Sequence, residues 1–166
     1  DVRLFAARKI QGLSHGDTSI RVQLKTPTGS ADRVTGSGAW DLAASLHQRG
    51  NWTFRGQPLT LHGNVGVLLM GDGDFAEPVQ KRWTGFGSLG LATHLGGRWW
   101  LAAQVDSHTG VIESKLRAPG NWSIQGGITL RYASRYGAFE FGFYEDLRPG
   151  SSVDFTLVSR WRATLN

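Results

Sequence analysis

"LTLHGNVGVLLM", residues 59–70, sets the fold by its alternation. Taken in steps of two, one set is Leu59, Leu61, Gly63, Val65, Val67 and Leu69. The other is Thr60, His62, Asn64, Gly66, Leu68 and Met70. Successive side chains of a strand point to opposite sides, so one face is wholly apolar and the other mostly polar or small. Two environments accept such a strand. In a soluble sandwich or barrel the apolar face meets another apolar layer. In an outer-membrane barrel it meets lipid, and the polar face lines the lumen.

The same period of two recurs along the chain and predicts nine strands, at roughly 2–10, 19–26, 37–48, 59–70, 83–95, 98–107, 122–134, 137–147 and 152–161. Strand two sets Ile20, Val22 and Leu24 against Arg21, Gln23 and Lys25. Strand eight sets Phe139, Phe141 and Phe143 against Glu140, Gly142 and Tyr144. No stretch has a comparable helical period and no linker divides the chain, so residues 1–166 read as one domain. The 23 glycines and the 11% aromatic content suit many short strands and turns. Absence of cysteine excludes disulfides, thiolate metal sites and a cysteine nucleophile. The chain opens on Asp1 without a Met or a signal peptide, which is expected of a mature or trimmed product. No run reaches the ~18 apolar residues of a transmembrane helix, so only a barrel would cross a bilayer. The net charge of +5 favours anionic partners, but the basic residues are dispersed and match no nucleic-acid motif.

The connections alternate in length. "TPTGSADRVTGSG", "GDGDFAEPVQKR" and "SHTGVIESKLRAPGN" follow strands two, four and six, whereas "GG" at 96–97 and "SRYG" join five to six and seven to eight. Bacterial outer-membrane barrels have this asymmetry between extracellular loops and periplasmic turns. Tryptophans mark the strand ends: Trp40, Trp83 and Trp122 at the loop end, Trp99 and Trp161 at the turn end. Scattered core tryptophans would show no such placement, while two interfacial belts would. The fold class predicted is all-β, an antiparallel up-and-down transmembrane β-barrel with about nine strands in this chain, whole or part of a larger or composite barrel. Alternation alone is equally compatible with a lipocalin-like soluble barrel; loop asymmetry and belts favour the membrane.

The polar parity assigns Arg21, Lys25, Asp41, Asn64, Asp106, Gln125, Arg131, Glu140, Asp154 and Arg160 to the lumen. His47, His62 and His94 fall on the same parity near the turn ends of strands three, four and five. Grouped, they would bind a metal or titrate as a pH gate; separate, they are ordinary lumen histidines, the reading preferred because no carboxylate stands at ligand spacing. Ser45 and His47 are an i, i+2 pair on one face, but nothing supplies an oxyanion hole, so no catalytic residue is assigned. "DSH" at 106–108 points Ser107 away from its neighbours. "GSG" at 36–38 and "GDGD" at 71–74 precede no helix, which removes a phosphate-loop reading, and "GDGDF" lacks the acidic spacing of an EF-hand. No cofactor is expected. Lys81, Arg82, Lys115 and Arg117 would face lipopolysaccharide if the long loops are extracellular.

"LKTPTGSADRVTGSGAWDLAASL", "FGSLGLATHL", "LAAQVDSHTG", "SIQGGITLRYAS" and "FYEDLRPGSSVDFTLV" resemble, in this order, segments of an uncharacterised Gram-negative family, domain of unknown function 3187. The resemblance covers almost the whole chain and departs from the family pattern at Thr26 and in loop 109–121. It implies an outer-membrane barrel, similar to barrels encoded beside aromatic-degradation pathways, with no established activity. It also implies that the family's N-terminal portion lies outside this sequence. Counting points the same way, because nine strands leave the first and last strands unable to close an even-stranded wall.

The function expected from the sequence is a passive pore or transport barrel for small solutes in the bacterial outer membrane, with lipid, lipopolysaccharide and another chain or copy completing the barrel as partners. The alternatives are a structural or assembly barrel with a filled interior, a soluble ligand-binding barrel, and a barrel hydrolase on Ser45 and His47.

Overall fold

The computed structural model describes residues 1–10, 16–30, 35–72, 80–112, 122–148 and 155–163. Among the described residues nine strands order themselves in one sheet: β1 (Val2–Ile10), β2 (Asp17–Thr26), β3 (Asp41–Phe54), β4 (Gln57–Met70), β5 (Trp83–Gly96), β6 (Trp99–His108), β7 (Ser123–Ser134), β8 (Gly137–Asp146) and β9 (Phe155–Ala163). Each pairs antiparallel with the next in chain order. No helix occurs among the described residues.

The largest departure from the expected boundaries is the β3–β4 hairpin, where β3 runs on to Phe54 and β4 starts at Gln57. Gly50, Asn51, Gly56 and Pro58 read as breakers in sequence. They are absorbed because Arg55 and Gly56 take φ of 51° and 79°. Two consecutive positive φ values make a two-residue turn whose twist matches the strands it joins, so pairing continues to Phe54↔Gln57. The Trp52 ring lies over Gly50, which has no side chain to obstruct it. The β7–β8 turn has its own requirement. Gly137 has φ of 143°, and a Cβ there would sit 2.1 Å from the Arg162 carbonyl oxygen.

Short turns join β3 to β4, β5 to β6 and β7 to β8; long connections join β2 to β3, β4 to β5 and β6 to β7. The sheet therefore has a loop end and a turn end. Because the strand count is odd, β1 and β9 run in the same direction, from loop end to turn end. Among the described residues β1 pairs only with β2 and β9 only with β8, and the two edges do not touch. Both edge strands are exposed on both faces, unlike the strands between them.

Candidate functional site

The two faces of the sheet are exposed in the reverse of the order water favours. Ile20, Val22, Leu46, Val65, Leu89, Val105, Ile128, Phe141, Phe143 and Leu157 all project from the exposed face, and Ala39 and Ala138 are the buried apolar residues among those described. Leaving a large apolar side chain in water rather than burying it forgoes ~1.5–3 kcal/mol. Residues of the opposite face are mostly half-buried or buried, including Lys25, Thr84, Ser123 and Asp146. Arg8 and Glu145 are the charged residues on the apolar face among the described strand positions, and each lies near a strand end.

Register puts nine of the ten expected lumen residues on the sheltered face. Lys25 opposes Asp41 and Arg21 opposes Ser45. Asn64 opposes His47 on one side and Ser88 on the other. Asp106 lies between Ser88 and Gln125. Glu140 lies between Arg131 and Arg160. Asp154 is outside the described residues.

The loop end of this face is held by one buried cation. Lys25 Nζ lies 2.5 Å from Asp41 Oδ2 and 3.5 Å from Asp1 Oδ2, and it also meets Ser37 Oγ. Its side chain is 11% exposed and that of Asp1 8%. Asp1 in turn accepts hydrogen bonds from the backbone N–H of Gly29 at 2.8 Å and of Ser37 at 3.0 Å. Gly29 and Gly36 leave the room for this, since a Cβ on Gly36 would fall 2.2 Å from Asp1 Oδ1. Residues 24–30 and 35–41 thus meet at the end of the sheltered face, tied by charge.

The turn end has the opposite balance. Arg131 Nε and Arg160 Nη1 each lie 3.7 Å from a carboxylate oxygen of Glu140, and Arg162 Nη2 lies 3.9 Å away. Next to them is a cavity of about 540 Å³ lined by Arg49, His62, Trp100, Arg131 and Glu140 over the small Ala92 and Ala102. A smaller cavity of about 300 Å³, on the same face, is lined by Arg21, Gln23, Ser45, His47, Asn64 and Phe86.

The three histidines do not form one cluster. His47 Nε2 bonds Ser45 Oγ at 2.9 Å, His62 reaches Gln104 Oε1 at 3.4 Å, and His94 bonds the Gly97 carbonyl and packs on Trp100. The extended β3–β4 hairpin separates them in height: His47 opposes Asn64, while His62 opposes Arg49. His62 lies across Gly90, where a Cβ would be 2.3 Å from Nε2. Among the described residues no group of three His, Asp or Glu side chains is arranged to hold a metal. Ser45 and His47 do touch, but no carboxylate hydrogen-bonds His47 among the described residues. A triad base needs such a partner to orient its ring.

On the apolar face, Trp40, Trp83 and Trp122 stand exposed at the loop end, and Trp99 and Trp161 at the turn end. Register adds what the sequence reading left out. Trp99 opposes Tyr132, Tyr132 opposes Phe139 and Phe139 opposes Trp161, a row across four strands in which the Trp99 and Tyr132 rings are 4.9 Å apart. Trp52 stands at the same end of β3. Arg49 and Arg162 also stand on the sheltered side without being expected there, because they lie beyond the predicted ends of strands three and nine. The turn at "RGNWTFRGQP" was the only signal for the hairpin extension that brings Arg49 into the sheet.

Fold and faces together define a nine-stranded up-and-down sheet protein with an apolar exposed side and a charged sheltered side. The chain belongs to the family described as protein of unknown function (DUF3187), whose sequence model matches residues 1–162. No curated protein matches it.

Proposed function

We propose that this chain forms wall of an outer-membrane β-barrel in a Gram-negative bacterium and that its polar face lines a passive path for small solutes. The single observation that carries the reading is the reversed facing: large apolar side chains outside, ions inside. A soluble ligand-binding barrel of lipocalin type would need the opposite. Belt spacing supports it. Trp122, just before β7, and Tyr132 lie ten positions apart along the chain. Ten residues at ~3.3 Å, tilted by ~40°, rise ~25 Å, the height of the apolar band of such barrels. Lys81 and Arg82 at the loop end would then face lipopolysaccharide; Lys115 and Arg117 are outside the described residues. The Ser45–His47 contact, without an orienting acid, is read as structural and the protein as no enzyme.

Unpaired backbone at the edges of β1 and β9 costs several kcal/mol per group in lipid, so the wall needs a further partner. Since both edges run the same way, a strand of opposite direction closes the wall antiparallel, whereas another copy in the same orientation would offer a parallel junction.

The test is fractionation followed by planar-bilayer recording. The reading expects outer-membrane recovery, a need for detergent, and stepwise conductance. Recovery in the soluble fraction would sink it. Membrane recovery with silent bilayers would instead favour a barrel with a filled interior, for which Phe86, His62 and Tyr144 lying across Gly66, Gly90 and Gly127 are the supporting contacts.

A further inference from the structure

Glu140 supplies one negative charge to three guanidinium groups, those of Arg131, Arg160 and Arg162, all within 4 Å. Two positive charges are left over. Arg49 lines the same cavity, and its neighbour in register, Asp17, is shared between Arg49 and Lys9, which leaves one further positive charge there. Arg131 Nε is buried without a hydrogen-bond partner, so a donor beside the cavity is unused. The three short turns each add an arginine to this rim: Arg55, Arg98 and Arg135. Ala92, Ala102 and Trp100 in the cavity wall offer little polar screening, which lets the field of the arginines reach into the cavity. At the loop end the balance reverses, because Lys25 is enclosed by Asp1 and Asp41. Among the described residues, the charge of the sheltered face therefore becomes more positive from loop end to turn end.

We infer that the turn end, around Arg49, Arg131, Arg160 and Arg162, is an anion filter that binds small anions such as halides in passing. Rings of Arg or Lys select anions in pores by this means. The transport half of the inference rests on the pore reading; the binding half does not. Glu140 acts as the internal counter-ion that gathers the guanidinium groups and keeps the site from retaining an anion too tightly.

Two measurements on the full chain test it. In planar bilayers under a tenfold KCl gradient, the reversal potential should report a several-fold preference for chloride over potassium. The triple variant Arg131→Gln, Arg160→Gln, Arg162→Gln should lower that preference to about one or below, and Glu140→Gln should raise it. Conductance without anion preference, or a preference that neither variant moves, overturns the filter and leaves the pore reading intact. The second measurement needs no conductance. In detergent, the part of the fluorescence lost in Trp100→Phe should be quenched several-fold more by iodide than by caesium, and the triple variant should equalise the two. Equal quenching in the parent protein overturns the anion site. Silent bilayers with iodide-selective quenching overturn only the pore reading and sustain the site. Retained β-sheet circular dichroism in each variant separates these outcomes from misfolding.

Discussion

The two faces of β7 are built from one stretch of chain and differ in almost every property. Ile124, Ile128, Leu130 and Tyr132 project to the apolar side, while Ser123, Gln125, Thr129 and Arg131 project to the sheltered side. Ile128 is 57% exposed, whereas Glu140, opposite Arg131, has a side chain only 18% exposed. In water this arrangement leaves apolar surface uncovered and shelters ions, so both faces oppose folding. In a bilayer both become favourable, because lipid covers one and ion pairing with residual water satisfies the other. The difference teaches that alternation specifies two faces but not their solvent, and that the face the sheet hides is what supports the proposed membrane setting.

The sharpest way to break this comparison is on the hidden side. Lys25→Met leaves Asp1 and Asp41 enclosed without their cation. Removing one partner of a buried pair costs about 3–5 kcal/mol, and urea unfolding in detergent micelles should show a loss of that size. A loss under about 1 kcal/mol would mean that the loop end is open to water. Next comes the exposed side. Ile128→Arg should cost ~2–4 kcal/mol of folding into bilayers, and its neighbour Thr129→Arg should cost far less. Reversal of that order, measured by unfolding from liposomes, would reverse the assignment of the faces.

Two smaller effects sharpen the comparison. Gly137→Ala places a Cβ against the Arg162 carbonyl at a φ of 143°, a conformation that costs non-glycine residues ~1–3 kcal/mol. Gly56→Ala, at φ of 79° with nothing within 4 Å, should cost less, and the gap between the two unfolding free energies isolates the steric part. Trp99→Ala removes the ring pair with Tyr132 and should cost ~0.5–1.5 kcal/mol beyond the area lost. A double-mutant cycle with Tyr132→Ala reads that coupling, and no coupling would mean that the aromatic row is only a set of neighbours.

Much of this was legible before any coordinates. All nine strands, their order, the shared side of nine polar residues and the strand-end placement of five tryptophans follow from alternation and turn chemistry. What was not legible lay at boundaries. Breaker residues in "RGNWTFRGQP" hid the last turn of β3, and with it Arg49 and the different heights of His47 and His62. The end of β9 hid Arg162. A period of two is a property of the backbone itself, so a single strand announces which residues share a side. The sequence by itself thus determined an all-β chain with an apolar and a polar side. Only the tertiary structure decided that the polar side is the sheltered one, that Asp1 reaches Lys25 on the neighbouring strand, that three arginines meet at Glu140, and that, among the described residues, β1 and β9 do not touch. Those depend on inter-strand register and on how far pairing extends past a turn, which no strand carries in its own alternation.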